Sequence, residues 1–172
     1  QDTAVTAAWL KTLAMEEEIP YSHIVIDEDG IGGGVIDQMR GVRGFLANAS
    51  PIEIEDDEDV DVPGQKVAFA NLKAQCGYYL ADRVNKHQAA VRVQDEQVRE
   101  WLTNDLEQIK EEKIDSDGKR KLVPKEEVKI VLGRSPDFGD TFIMRAVFDL
   151  KPPQKKAEVW QYRPKSPQRG KR

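Results

Sequence analysis

Ser22-His23-Ile24-Val25-Ile26-Asp27-Glu28-Asp29-Gly30-Ile31-Gly32-Gly33-Gly34 carries a short β-branched run, bounded upstream by Pro20, straight into acids and glycines. Such a run reads as an interior strand opening into a tight turn, with Asp27 held at its C-terminal end. In open α/β sheets that end is where sites lie. Upstream, Asp2 or Thr3 is suited to cap a helix over about 3–18, in which Val5, Ala8, Trp9, Thr12 and Leu13 form one stripe at helical spacing. Pro20 prevents its continuation. Downstream, Val35, Ile36 and Met39 predict a short helix closed by Gly41, and Gly44-Phe45-Leu46 a second short strand. The order is helix, strand, helix, which points to an α/β fold.

Further along, Phe69, Leu72, Cys76, Tyr79, Leu80 and Val84 recur at helical spacing over about 66–87, and Val98, Leu102, Leu106 and Ile109 do so over about 95–113. Asp115-Ser116-Asp117-Gly118 supplies a turn, and Lys129-Ile130-Val131-Leu132 reads as an edge or short strand before Gly133. A last helix begins near Pro136 with Ser135 as its cap, and Phe138, Phe142, Ile143, Ala146 and Phe148 give it apolar surface. Asp137 and Asp140 then fall in its first turn. Glu53 to Asp61 is an acidic, self-repelling loop to which no chemistry is assigned.

With 172 residues, 39% of them apolar, the chain suits one compact domain over residues 1–150 and a tail over 151–172. One cysteine, Cys76, rules out an internal disulfide framework, and no apolar run is long enough to cross a bilayer. A reducing, cytoplasmic setting is expected. The chain opens on Gln1, without the layout of a signal peptide, and reads as part of something longer. The net charge of −5 hides an asymmetry: the Pro-containing tail carries +7 and the remainder −12. An acidic body disfavours broad nonspecific nucleic-acid binding, whereas a basic tail with Trp160 and Tyr162 suits phosphates and bases. A solvated terminus explains the tail equally simply.

Several chemistries fail on spacing. Val35 stands where a dinucleotide-binding turn needs its last small residue. An EF-hand centred on Gly30 would put Val25 and Ile36 at ligand positions, and one centred on Gly118 would put Lys113 and Pro124 there. No Gly-Lys-Ser/Thr loop exists for ATP, and Cys76, His23 and His87 lack partners at nucleophile spacing. Carboxylates remain: Asp27 at a strand end, with Asp137 and Asp140 on one face of a helix start. Hard divalent cations prefer such oxygens, and two ions about 3.5–4 Å apart serve phosphodiester hydrolysis. The helix dipole alone also explains acids in a first turn, so both explanations stand.

Taken together, Ile24 to Asp37 and Leu132-Gly133-Arg134-Ser135-Pro136-Asp137-Phe138-Gly139-Asp140 resemble the C-terminal nuclease domain of tailed-phage terminase large subunits. Phe69-Ala70-Asn71-Leu72-Lys73-Ala74-Gln75 resembles the phenylalanine-asparagine helix of that family, lying between its two acidic motifs, so the likeness spans about residues 3–150. The resemblance implies a ribonuclease H-like mixed sheet flanked by helices. It implies an endonuclease that cuts concatemeric double-stranded viral DNA with two Mg2+ or Mn2+ ions, joined to an ATPase domain in the full-length protein. The portal and the small terminase subunit are the implied partners, and the host-cell cytoplasm during virion assembly is the implied location.

By position, Asp27 corresponds to the strand acid that ligates metal and Asp137 to the helix acid, with Asp140 as substitute or assistant. The family also takes an aspartate from a first strand that would precede Thr3. Asp2 does not match it, because it reads as a helix cap. A two-metal site without that carboxylate is expected to bind metal weakly and cleave slowly. Lys125, Lys129 and Arg134 flank the second motif as candidate phosphate contacts, and Lys73, Arg83 and Lys86 are weaker ones. Two alternatives remain: another ribonuclease H-like nuclease of resolvase or integrase type, or a noncatalytic module that binds DNA or portal.

Overall fold

A computed structural model describes residues 2–54, 68–112 and 118–150. The basic tail, most of the acidic loop and residues 115–117 of the expected turn lie outside the described residues. Helix α1 spans Thr3–Glu16, and Asp2 caps it by accepting from the Ala4 N–H at 2.8 Å. After a 3₁₀ turn at Tyr21–His23 come strand β1 (Val25–Asp27), helix α2 (Gly32–Ile36) and strand β2 (Arg43–Phe45). The strands pair in parallel, Val25 with Arg43, Ile26 with Gly44 and Asp27 with Phe45. Gly41, at φ 104°, makes the turn that brings the chain back into β2.

Alternation along β1 sorts its side chains between two cores. Ile24 and Ile26 pack with Ala7, Val35 and Met39 beneath α1 and α2, whereas Val25 packs with Phe45 on the opposite face. That second core is completed by α3 (Leu72–Asn85) and α6 (Asp137–Arg145), through Leu72, Cys76, Leu80 and Ile143. Fully burying a side chain such as Phe45 stabilises the fold by about 1.5–3 kcal/mol. By the same parity, Asp27 belongs to the face of Val25, which is the face of α6.

The stripe of Val5, Ala8, Trp9, Thr12 and Leu13 is not the buried face of α1. Trp9 is 62% exposed and Val5 66%, while Ala7 and Ala14 are buried. The neighbour explains this: α1 packs on α2, where a Cβ on Gly34 would come within 3.1 Å of the Thr3 side chain. Small surfaces on both helices bring the backbones together; Leu10 packs beside that contact, and Val5 and Trp9 are left outside.

Residues 129–132 form the end of helix α5 (Lys125–Leu132) rather than a strand. Glu126 and Glu127 favour its N-terminus, Lys129 its last turn, and Gly133, at φ 67°, ends it in the left-handed conformation. These end signals outweigh the strand preference of the β-branched pair Ile130-Val131. Helix α4 (Glu96–Leu106) stops short of the expected 113, and Glu111 then bridges antiparallel to Leu122. The segment after β2 is held by Gln75, whose amide accepts from the Ile52 N–H at 2.7 Å and donates to its carbonyl at 2.8 Å.

Cys76 is fully buried on α3, and burial pushes its thiol up to about 12. Alkylation at pH 8 is therefore expected to proceed only as fast as the protein opens, and prompt labelling of the native chain would contradict this placement.

Candidate active site

Asp27 stands exposed at the end of β1, and the loop after it is folded by its own acids. Asp27 Oδ1 accepts from the Asp29 N–H at 3.1 Å, and Asp29 Oδ2 accepts from the Ala47 N–H at 3.3 Å, tying this loop to the chain after β2. The start of α2 turns back so tightly that a Cβ on Gly32 would lie 1.6 Å from the Asp27 carbonyl oxygen. Only glycine permits that approach, which is why the acid is followed by a glycine-rich stretch. Gly32→Ala is expected to destabilise the chain by about 3 kcal/mol, because the obstacle is the Asp27 backbone rather than a movable side chain. Urea unfolding checks this, and a loss below 1 kcal/mol, on the order of a mild surface change, would contradict it.

Opposite the loop, α6 presents Asp137 and Asp140 from its first turn. Ser135 does not cap the helix; its hydroxyl donates to Asp137 Oδ1 at 2.7 Å, and Pro136 occupies the cap position without a side-chain hydrogen bond. Asp140 is held from two sides. Lys73 Nζ of α3 lies 2.6 Å from its Oδ1, and Lys125 Nζ of α5 lies 2.6 Å from its Oδ2. Burial pushes the Asp140 carboxyl up, but hydrogen bonds from Lys125 and Lys73 outweigh it and hold the acid below the ordinary aspartate range. Burial pushes Lys125 down, yet its hydrogen bond to Asp140 and the fields of Asp140, Asp137 and Asp27 raise it overall. Lys125 thus sits within the fields of all three acids that the sequence singled out.

The other candidates have different surroundings. Lys129 pairs with Glu126 on its own helix at 2.7 Å. Arg134 is turned inward, donating to the carbonyls of Ser135 at 2.9 Å and Trp101 at 3.0 Å, with its guanidinium 5.5 Å from the Trp101 ring centre. Those contacts commit it to the protein. Sequence reading missed Asp105, a buried acid on α4 beside the start of α6, although Asp105 follows Leu102 by three residues and so falls within the apolar stripe. It also takes Lys73 only as a weaker candidate phosphate contact, since nothing in the sequence pairs α3 with Asp140.

The donors suit a hard divalent cation in kind, because every candidate ligand is a carboxylate oxygen. In number they leave the site open: among the described residues no three acidic, histidine or cysteine side chains converge on one metal position. Both oxygens of Asp140 already face ammonium groups, which leaves Asp27 and Asp137 as the accessible acids.

No protein-family model and no curated protein matches the chain. Solved structures do. The chain is similar to the nuclease domain of the large terminase subunit gp2 of bacterial virus Sf6, in a lysine-to-alanine mutant with manganese: 27% identity and a TM-score of 0.59, covering 81% of this chain and 71% of that one. The same domain with calcium matches over 81% and 70% at 0.59, and the domain without the mutation over 81% and 70% at 0.58, both at 27% identity. The fold is that of a ribonuclease H-like nuclease domain, here with a small parallel sheet between helices. More particularly, the chain resembles a phage terminase nuclease domain, which supports a nuclease role. Among the described residues no helix is long and apolar enough to cross a membrane.

The paired lysines give a pH dependence with a definite sign. Asp140 has a lower pKa folded than unfolded, so its pairing contributes stability above the unfolded aspartate value of about 3.9 and loses it as pH falls through the folded value. Lys73→Ala is expected to cost about 1 kcal/mol at neutral pH, as for a partly exposed ion pair. That cost should shrink on acidification below the carboxylate range in denaturant titrations; a pH-independent cost would sink the assignment.

Proposed function

We propose that this chain is the metal-dependent endonuclease domain of a phage DNA-packaging motor, hydrolysing phosphodiester bonds in concatemeric double-stranded DNA. The observation that carries the reading is Lys125, which pairs with Asp140 at 2.6 Å and feels the charges of Asp137, on the same helix start, and of Asp27, at the end of the strand packed against that helix. The helix acids do not act as caps: Asp137 accepts from the Ser135 hydroxyl, Asp140 faces Lys73 and Lys125, and the Gly139 N–H of that first turn is satisfied by Asp105 from another helix.

In this reading Asp27 and Asp137 hold Mg2+ or Mn2+. Two such ions, when bound, supply an activated water and stabilisation of the leaving oxygen. Lys125 tempers the mutual repulsion of the acids, and Lys73 and Lys125 keep Asp140 charged and directed into the site. Lys125 and Lys129 lie on the helix leading to the second motif, where they can contact a DNA phosphate and set its register without reading sequence. Residues 1–150 form the nuclease unit, and the basic tail of residues 151–172 adds nonspecific DNA affinity. An ATPase domain on the same full-length protein, the portal and the small terminase subunit belong to the same proposal, as does action in the host cytoplasm. The Sf6 domain solved with manganese or calcium supports the choice of divalent cation.

With two accessible carboxylates, metal is held weakly, and cleavage by the 172-residue chain is expected to be slow and to need millimolar Mn2+. Incubation with plasmid DNA should yield nicks that EDTA abolishes. Asp27→Ala and Asp137→Ala should each lower the rate by more than about 100-fold, the upper end of what loss of a supporting group costs. Cleavage that survives Asp27→Ala would overturn the reading.

A further inference from the structure

Gln75 and Asp105 are the buried polar residues among those described, and Gln75 is explained by its grip on Ile52. Asp105 is a carboxylate with a 0% exposed side chain on the apolar face of α4. Burying such a charge costs several kcal/mol unless it is paired and hydrogen-bonded. Its partners are specific. Oδ2 accepts from the Gly139 N–H at 3.0 Å, and Oδ1 lies 2.8 Å from Arg134 Nη2, a close charge contact without hydrogen-bond alignment. Arg134 is itself fixed to the Ser135 and Trp101 carbonyls, and Trp101 packs at 5.9 Å against Phe138 of α6.

Gly139 is the third residue of α6, so its N–H is one of the four that no intrahelical carbonyl can satisfy. A side chain at the cap position normally accepts such a bond, but here that position is Pro136. The acceptor comes instead from α4, and close approach is built in: a Cβ on Gly139 would meet the Asp105 Cβ at 2.9 Å. Asp137 lies two residues before this anchored N–H and Asp140 one residue after it. Each residue step turns a helix by about 100°, so the rotation that places Gly139 on Asp105 also sets where both acids point.

We propose that Asp105 is a positioning residue of the nuclease site, a cap supplied from α4 that sets the rotation of the first turn of α6 and thereby aims Asp137 and Asp140 toward Asp27 and Lys125. The chemistry served rests on the nuclease reading above; the positioning stands on geometry. A purely stabilising Asp105 would lower the melting temperature and leave both acids in place in the folded protein. A positioning Asp105 moves them.

The test uses the whole chain, comparing Asp105→Ala, Asp105→Asn and Gly139→Ala at temperatures where circular dichroism shows each folded. Mn2+ broadening of the NMR signals of Asp137 and Asp140 reports metal binding, and plasmid cleavage gives kcat and KM. Asp105→Ala and Gly139→Ala should weaken Mn2+ binding by about tenfold or more and lower kcat with KM for DNA little changed. Asp105→Asn, which keeps an oxygen for the Gly139 N–H, should retain most of the affinity. Wild-type Mn2+ affinity in folded Asp105→Ala overturns the proposal; if that variant does not fold, wild-type affinity in Gly139→Ala does so. Should the unmodified chain neither bind Mn2+ nor cut DNA, the nuclease reading fails separately. The carboxyl ¹³C shifts of Asp137 and Asp140 then decide: they must move in Gly139→Ala more than in Asp105→Asn, and unmoved shifts refute positioning.

Discussion

The Asp140 carboxylate, with Lys73 on one oxygen and Lys125 on the other at 2.6 Å each, ties α3 to the consecutive helices α5 and α6 at one point. Its partners are only partly exposed, at 26% for Lys73 and 39% for Lys125, so screening by solvent is incomplete. Loss of either ammonium would leave a carboxylate that is one-fifth exposed with a single charged partner. A half-satisfied, partly buried acid costs more than the lost pair was favourable to form. The arrangement therefore constrains α3, α5 and α6 together, and the placement of Asp137 follows from it.

Around that point the charges nearly balance. Two ammonium groups stand against Asp27, Asp137 and Asp140, which leaves a small net negative potential in an otherwise acidic body. The two lysines offset most of the repulsion among these acids. Asp105 contributes from behind: its buried charge caps α6 so that the helix acids need not. The division of labour explains why one helix start carries two exposed or half-exposed aspartates and is still well satisfied.

The sheet contributes direction. Parallel pairing of β1 with β2 and the two-residue alternation put Val25 and Asp27 on the face of α6, with Ile24 and Ile26 on the face of α1 and α2. Gly32 lets α2 begin directly against the Asp27 carbonyl, so the acid projects at the sheet edge and is not displaced by a wider loop. A fold that shares its architecture with the Sf6 terminase nuclease domain thus reaches its site through a few close approaches and one double ion pair.

Local signals sufficed for Asp27 at a strand end, for Asp137 and Asp140 in a first turn, and for the cap at Asp2, because each depends on near neighbours in the chain. Ile130 and Val131 favour a strand, but Glu126, Glu127, Lys129 and the left-handed Gly133 make residues 129–132 helical. Local signals also failed where a distant partner decides: Val5 and Trp9 of α1 face outward because the glycines of α2 draw the two backbones together over Ala7. Composition and spacing alone determined an α/β domain with a candidate carboxylate at a strand end. Tertiary structure alone decided that Lys73 and Lys125 pair with Asp140 and that Asp105 caps α6, since ion pairs and caps between separate helices exist only once those helices are packed together.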